Sequence, residues 1–170
     1  MEWNGRQMNG RLYSDADFAA NRDDRVSIGG FIILLDEVPI SCGTSKQKCI
    51  SLSTMEAEYV SLTDASKELL WIQRILEESK ELLDQSLFTF KYAVYCDNQA
   101  AINFSNSCIE NMRTKHIDIK YHFLRDLIFK EYFELKYICT KKNVADIFTK
   151  AQTKFKLKSF LDKIFGVLIE

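Results

Sequence analysis

GGFIILLDEVPISCGTSKQKCISLSTME, running from Gly29 to Glu56, passes from strand patterning to helix patterning and decides the fold class. Gly29–Leu35 is aromatic and β-branched enough for a central strand. Asp36-Glu37-Val38-Pro39 reads as a hairpin connection, and Ile40–Ser45 with Lys48–Leu52 as a further strand segment. Ser53 then opens a long helix. Ser53-Thr54-Met55-Glu56 is a capping-box pattern, in which hydroxyl and carboxylate each take a backbone N–H that the first turn leaves unpaired. Met55, Leu62, Ala65, Leu69, Ile72 and Leu76 recur at helical spacing to about Glu78.

The flanks extend this pattern in both directions. Arg11–Ser14 is a short strand entering a polar loop at Asp15. Leu87–Cys96 is a strand that ends at Asp97-Asn98, and Gln99–Asn106 a short helix. Thr114–Lys130 is a second long helix with Ile117, Tyr121, Leu124 and Ile128 on one face. Tyr132–Cys139 is a last strand, and Asn143 starts a final helix that runs, with breaks, toward Phe165. The order predicts one α/β domain with a mixed sheet, a hairpin start followed by crossovers. Its expected bounds are 11–152, after a leader over 1–10 and before a basic and apolar helical tail over 153–170.

The 170 residues suffice for one domain with a real core, and seven Gly plus Pro exclude collagen-like and low-complexity chains. At 46% hydrophobic and 12% aromatic the chain is not disordered. Five Cys without a C-x-x-C pair read as reduced, mostly buried thiols with no zinc spacing. A polar start and no long apolar run predict no signal peptide and no membrane partner, hence a soluble intracellular chain. The net charge of −1 conceals −7 over residues 1–110 and +6 over 111–170. Such asymmetry is either ordinary solvated surface or a cationic docking face near a pocket of carboxylates.

Four carboxylates stand out, each with an ordinary alternative. Glu58 lies on the packing seam of the long helix, where a carboxylate needs a cation unless it leans out to water. Asp97 ends the most apolar strand, where α/β sheets place sites, or it caps the next helix. Asp15 has the same place on its own strand, or serves a turn. Asp146, three residues after Asn143, is either a helix-start carboxylate favoured by the dipole or the fourth member of a set. Together they can hold hard divalent cations through oxygen, which clustered carboxylates need to stay ionised together.

Tyr13-Ser14-Asp15-Ala16-Asp17, Ser53-Thr54-Met55-Glu56-Ala57-Glu58-Tyr59, Tyr95-Cys96-Asp97-Asn98-Gln99-Ala100-Ala101-Ile102, Arg113-Thr114-Lys115-His116-Ile117-Asp118-Ile119 with Tyr121-His122-Phe123, and Asn143-Val144-Ala145-Asp146-Ile147-Phe148-Thr149-Lys150 occur in this order. They resemble the ribonuclease H domain of copia-type retrotransposon Pol polyproteins over residues 11 to 150. The resemblance implies a ribonuclease H-like fold: a five-stranded mixed sheet, three antiparallel strands then parallel ones, with helices on both faces. It also implies a metal-dependent endonuclease that cuts the RNA strand of RNA–DNA hybrids, with Asp15, Glu58, Asp97 and Asp146 as its catalytic carboxylates. Glu58 is preferred over Glu56, which has the capping role, and Asp15 over Asp17, because it directly follows the strand.

The expected cofactor is a pair of Mg²⁺ ions, with Mn²⁺ as a substitute. Two such ions activate water and support the 3′ leaving group. Gln99 is similar in position to a residue that reads the hybrid's minor groove. Arg113, Lys115, Lys120, Lys141 and Lys142 are the expected phosphate-tracking residues. His116 and His122 read as packing histidines, and Glu134 to Ala145 lacks the histidine that many ribonucleases H carry before the fourth carboxylate. A reverse transcriptase domain of the parent polyprotein is the expected protein partner, and the cytoplasm the expected location, with virus-like particles and the nucleus left open. The alternative is a ribonuclease H-like module, inactive or domesticated, that binds nucleic acid or protein without cleavage.

Overall fold

Successive side chains of a strand point to opposite faces, so a strand apolar at every position must be covered on both. The structure, a computed structural model, describes residues 6–21, 23–82, 88–106 and 118–165. Five strands, β1 (Arg6–Asp17), β2 (Ile28–Leu35), β3 (Val38–Lys46), β4 (Phe88–Cys96) and β5 (Glu134–Tyr137), form one sheet in the order β3-β2-β1-β4-β5. β1, β2 and β3 pair antiparallel, whereas β4 lies parallel to both β1 and β5. This is the mixed sheet expected from the resemblance.

Four helices, α1 (Thr54–Leu82), α2 (Gln99–Asn106), α3 (Asp118–Phe129) and α4 (Lys154–Phe165), cover it. Leu12, Ile33 and Val94 meet Tyr59, Leu62 and Leu69 of α1, Phe104 of α2 and Tyr121 and Leu124 of α3 in one core. Tyr13, Ile32 and Leu34 point the other way, onto Val144, Ala145 and, from α4, Phe160 and Ile164. Adjacent residues thus feed separate cores. No described helix is long and apolar enough to cross a membrane.

Several boundaries differ from those read in the sequence. β1 starts at Arg6, because Arg6–Tyr13 pairs in register with Phe88–Tyr95; residues 6–10, read as leader, are sheet. It also runs through Asp17, so Asp15 lies within the strand. Val38 and Pro39 belong to β3, since the hairpin turns within Asp36-Glu37, both at positive φ (45° and 70°) as a type I′ turn requires. Asp36 suits its place, with its Oδ1 held by the Asn9 N–H at 2.8 Å, whereas Glu37 stands where such a turn usually has glycine.

Lys48–Leu52 is not a strand. β2 runs out of partners at Ile28–Lys46, and the chain turns back so that Gln47 Nε2 donates to the Ala57 carbonyl (2.8 Å) and Ser51 to Gln47 Oε1 (3.0 Å). α1 begins as read: Glu56 N–H donates to Ser53 Oγ (3.2 Å), and Glu56 Oε2 accepts from Leu52 N–H (2.8 Å). α3 is described from Asp118; its expected first residues, Thr114 to Ile117, lie outside the described residues. β5 is only four residues, because Tyr132 is drawn into the end of α3 through its N–H to Leu127 O (3.1 Å). Asn143 starts a 3-10 turn (Val144–Phe148) rather than a long helix.

Phe160 is 2% exposed and fixes α4 to the sheet. Phe160→Ala is expected to destabilise the fold by about 3–5 kcal/mol. A urea titration followed by circular dichroism checks this, as a lower midpoint at similar slope.

Candidate active site

β1 and β4 are parallel neighbours, so their C-terminal ends share one edge of the sheet. Asp15 near the end of β1 and Asp97 just after β4 therefore come together, and the start of α1 crosses them with Glu58. All three line one open cleft, along with Asp17, Thr140 and Lys150. Two glycines make the approach of the covering layers close. A Cβ on Gly29 would lie 2.9 Å from Ser61 Oγ, whose hydroxyl donates to the Asp15 carbonyl at 2.7 Å. A Cβ on Gly30, opposite Asp15 in the ladder, would lie 2.8 Å from both Phe148 and Thr149.

Contacts bear on the alternatives for Glu58, Asp97 and Asp15, whereas Asp146 does lie in the first turn of its 3-10 helix, as its ordinary alternative had it. Glu58 does not lean out to water: it is 7% exposed, and its Oε2 is buried with no hydrogen-bond partner. Burial, then the charges of Asp15 and Asp97, push its carboxyl up to about 9. Asp97 does not cap α2, because Asn98 does, its Oδ1 accepting from Ala101 N–H at 3.0 Å. Burial raises the Asp97 carboxyl despite a hydrogen bond from Thr140.

Asp15 is 1% exposed and forms no turn; Thr149 Oγ1 donates to its Oδ2, and Lys150 Nζ lies 3.2 Å from the same oxygen. Asp146 is 2% exposed, set back from the cleft lining, and joined to Asp15 through Lys150, whose Nζ is 3.0 Å from Asp146 Oδ1. Burial opposes its ionisation, but Lys156 and Lys150 hold its carboxyl below the usual range. Asn143 sets this segment, donating from Nδ2 to the Ser14 carbonyl (2.9 Å) while its Oδ1 accepts from Ala145 N–H (3.2 Å).

Glu58, Cys96 and Asp97 offer ligand atoms within 4.8 Å of one another. Burial pushes the Cys96 thiol up, whereas the two carboxylates offer oxygen donors. Hard oxygen ligands suit Mg²⁺, and the orphaned Glu58 Oε2 is the kind of atom a cation would satisfy.

The chain has relatives among curated proteins. The chain is 40% identical over 147 residues to the retrovirus-related Pol polyprotein from transposon TNT 1-94 of Nicotiana tabacum, covering 85% of this chain. It is 35% identical over 160 residues to that from transposon RE1 of Arabidopsis thaliana, covering 94%. It spans 11% of the length of each. Among solved structures, the LC11 RNase H1 crystallised with an RNA/DNA hybrid matches with TM-score 0.52 and 15% identity, over 82% of this chain and 92% of that one. No protein-family model matches. The chain has a ribonuclease H-like fold and is similar in sequence to a segment of retrovirus-related Pol polyproteins.

The basic residues of this ribonuclease H-like domain divide. Lys141 and Lys142 are exposed in a 3-10 turn next to Thr140, and Gln99 is exposed at the start of α2. Lys120 instead pairs with Asp64 of α1 at 2.8 Å, so the helix-packing role claims it. Arg113, Lys115 and His116 lie outside the described residues. His122 packs edge-to-face on Tyr121. Lys150, Thr149, Thr140 and Lys156 are site neighbours whose place beside the carboxylates was not read from the sequence; only Lys150, four residues from Asp146, carried a spacing signal.

Glu58 sets a testable pH dependence. Its folded value, about 9, is above its ordinary 4.5, so its contribution to stability is full below 4.5 and is lost as pH rises through about 9. Thermal melts of the metal-free domain across that window are expected to show this fall, and Glu58→Gln to flatten it.

Proposed function

We propose that this domain is a metal-dependent endonuclease that hydrolyses the RNA strand of RNA–DNA hybrids. The observation that carries the reading is the convergence of Asp15, Glu58 and Asp97 on one cleft, with a buried Glu58 oxygen left unpartnered. Asp15, Glu58, Asp97 and Asp146 would hold Mg²⁺, or Mn²⁺ in its place. Bound divalent cations supply an activated water and charge stabilisation at the leaving oxygen.

The chain's own residues supply the rest. Thr149 and Thr140 orient the Asp15 and Asp97 carboxylates through their hydroxyls. Lys141 and Lys142, beside the cleft, would meet backbone phosphates, and Gln99 the minor groove at the same sheet edge. Preference for an RNA strand would then come from 2′-hydroxyl contacts in the shallow groove. The chain matches 11% of the length of a retrovirus-related Pol polyprotein, and the proposed protein partner is a reverse transcriptase domain of such a polyprotein.

Incubation of the purified domain with end-labelled hybrid and Mg²⁺ or Mn²⁺ tests the reading. Metal-dependent cleavage of the RNA strand is expected, and Asp97→Asn is expected to reduce it by at least about 10²-fold. Hybrid binding without cleavage by the unaltered domain would leave only the binding-module reading.

A further inference from the structure

Two of the four carboxylates already have a cation, and it belongs to the protein. Lys150 Nζ lies 3.5 and 3.2 Å from Asp15 Oδ1 and Oδ2 and 3.0 Å from Asp146 Oδ1. Asp15 and Asp146, 1% and 2% exposed, are too buried for water to separate their charges, so a bridging ammonium offsets their repulsion. The bridge differs from an ordinary structural ion pair in how the oxygens are shared. Asp15 Oδ2 is also held by the Thr149 hydroxyl, and Asp146 Oδ2 by Gln152 Nε2 (3.0 Å) and Lys156 Nζ. The other oxygen of each carboxylate, Oδ1, has Lys150 as its sole side-chain donor among the described residues.

Each carboxylate is thus anchored at Oδ2 by other side chains, while its Oδ1 is met by Lys150, which on Asp15 also reaches Oδ2. Withdrawal of that lysine would free one oxygen on each carboxylate without releasing either side chain. The exit is open: the Lys150 side chain is 37% exposed and lines the cleft, while its backbone N–H stays bonded to the Asp146 carbonyl at 3.3 Å. A lysine ammonium, a compact charge on a flexible four-carbon stem, can move in this way. Among the described residues, Glu58 and Asp97, across the cleft, form no salt bridge with a lysine or arginine.

We infer that Lys150 is a built-in counter-cation: it bridges Asp15 and Asp146 in the metal-free domain and is displaced, still protonated, when these two carboxylates take up a divalent cation. The inference rests on the metal-dependent reading above and deepens it, making Lys150 a positioning residue that also competes with metal.

Amine acylation of the unaltered domain, read residue by residue by mass spectrometry, tests the displacement. Lys150 should be protected relative to Lys141 and Lys142 without metal, and its labelling should rise several-fold on saturation with Mn²⁺. Mn²⁺ titration followed by electron paramagnetic resonance gives a second measure. Lys150→Gln should bind Mn²⁺ about ten-fold more tightly than the unaltered domain, and Lys150→Arg, which keeps the charge, should not. If Mn²⁺ binds but Lys150 labelling stays flat or falls, the displacement is wrong, whatever Lys150→Gln does. Unchanged or weaker Mn²⁺ binding by Lys150→Gln overturns the competition. No Mn²⁺ uptake by the unaltered domain or either variant overturns the metal reading itself, and this inference with it.

Discussion

Mutual repulsion among carboxylates buried at one end of a sheet is the constraint around which the rest of this domain is arranged. Asp15, Glu58, Asp97 and Asp146 cannot all be ionised there without compensation. The structure meets the difficulty in three different ways. Asp15 and Asp146 share a lysine, Asp97 takes a hydroxyl from Thr140, and Glu58 is pushed toward its neutral form with one oxygen unpartnered. The second and third are poorer solutions than the first, which locates the strongest demand for an added cation at Glu58 and Asp97.

The sheet topology creates the demand. Parallel pairing of β1 with β4 puts two strand ends side by side, and long crossovers then bring α1 over one face and the 3-10 turn with α4 over the other. Gly29 and Gly30 are adjacent but open opposite faces, one toward Ser61 and one toward Phe148 and Thr149. A side chain at Gly30 would push away the segment that carries Thr149 and Lys150. Site geometry is therefore set partly by residues with no polar atom in the cleft.

What could be read from sequence follows from the range of the interactions concerned. The α1 seam and the Ser53–Glu56 box are local, so they correctly separated Glu56, which caps, from Glu58, which faces the cleft. Asp97 was legible because an apolar strand announced its own end. The missed features depend on distant partners. Residues 6–10 look like a polar leader until β4 supplies their ladder, and Asp36-Glu37 lacks the glycine that usually marks a tight hairpin. Lys156 reaches Asp146 only because Phe160, one turn further along α4, is anchored in the second core.

The charge asymmetry takes on a narrower meaning in this light. Its basic share, +6 over residues 111–170, suggested a broad cationic face for nucleic acid. Part of that charge is instead spent inward: Lys120 on Asp64, Lys150 on Asp15 and Asp146, Lys156 on Asp146. Such lysines cannot release counterions from a phosphate backbone while they remain paired. Among the described residues, Lys141 and Lys142 combine exposure with a place beside the cleft. If the proposed hybrid is the partner, that pairing confines the salt dependence of binding to a few phosphates rather than the whole basic third of the chain. Net charge misled twice, first by hiding a basic region and then by overstating how much of it faces outward.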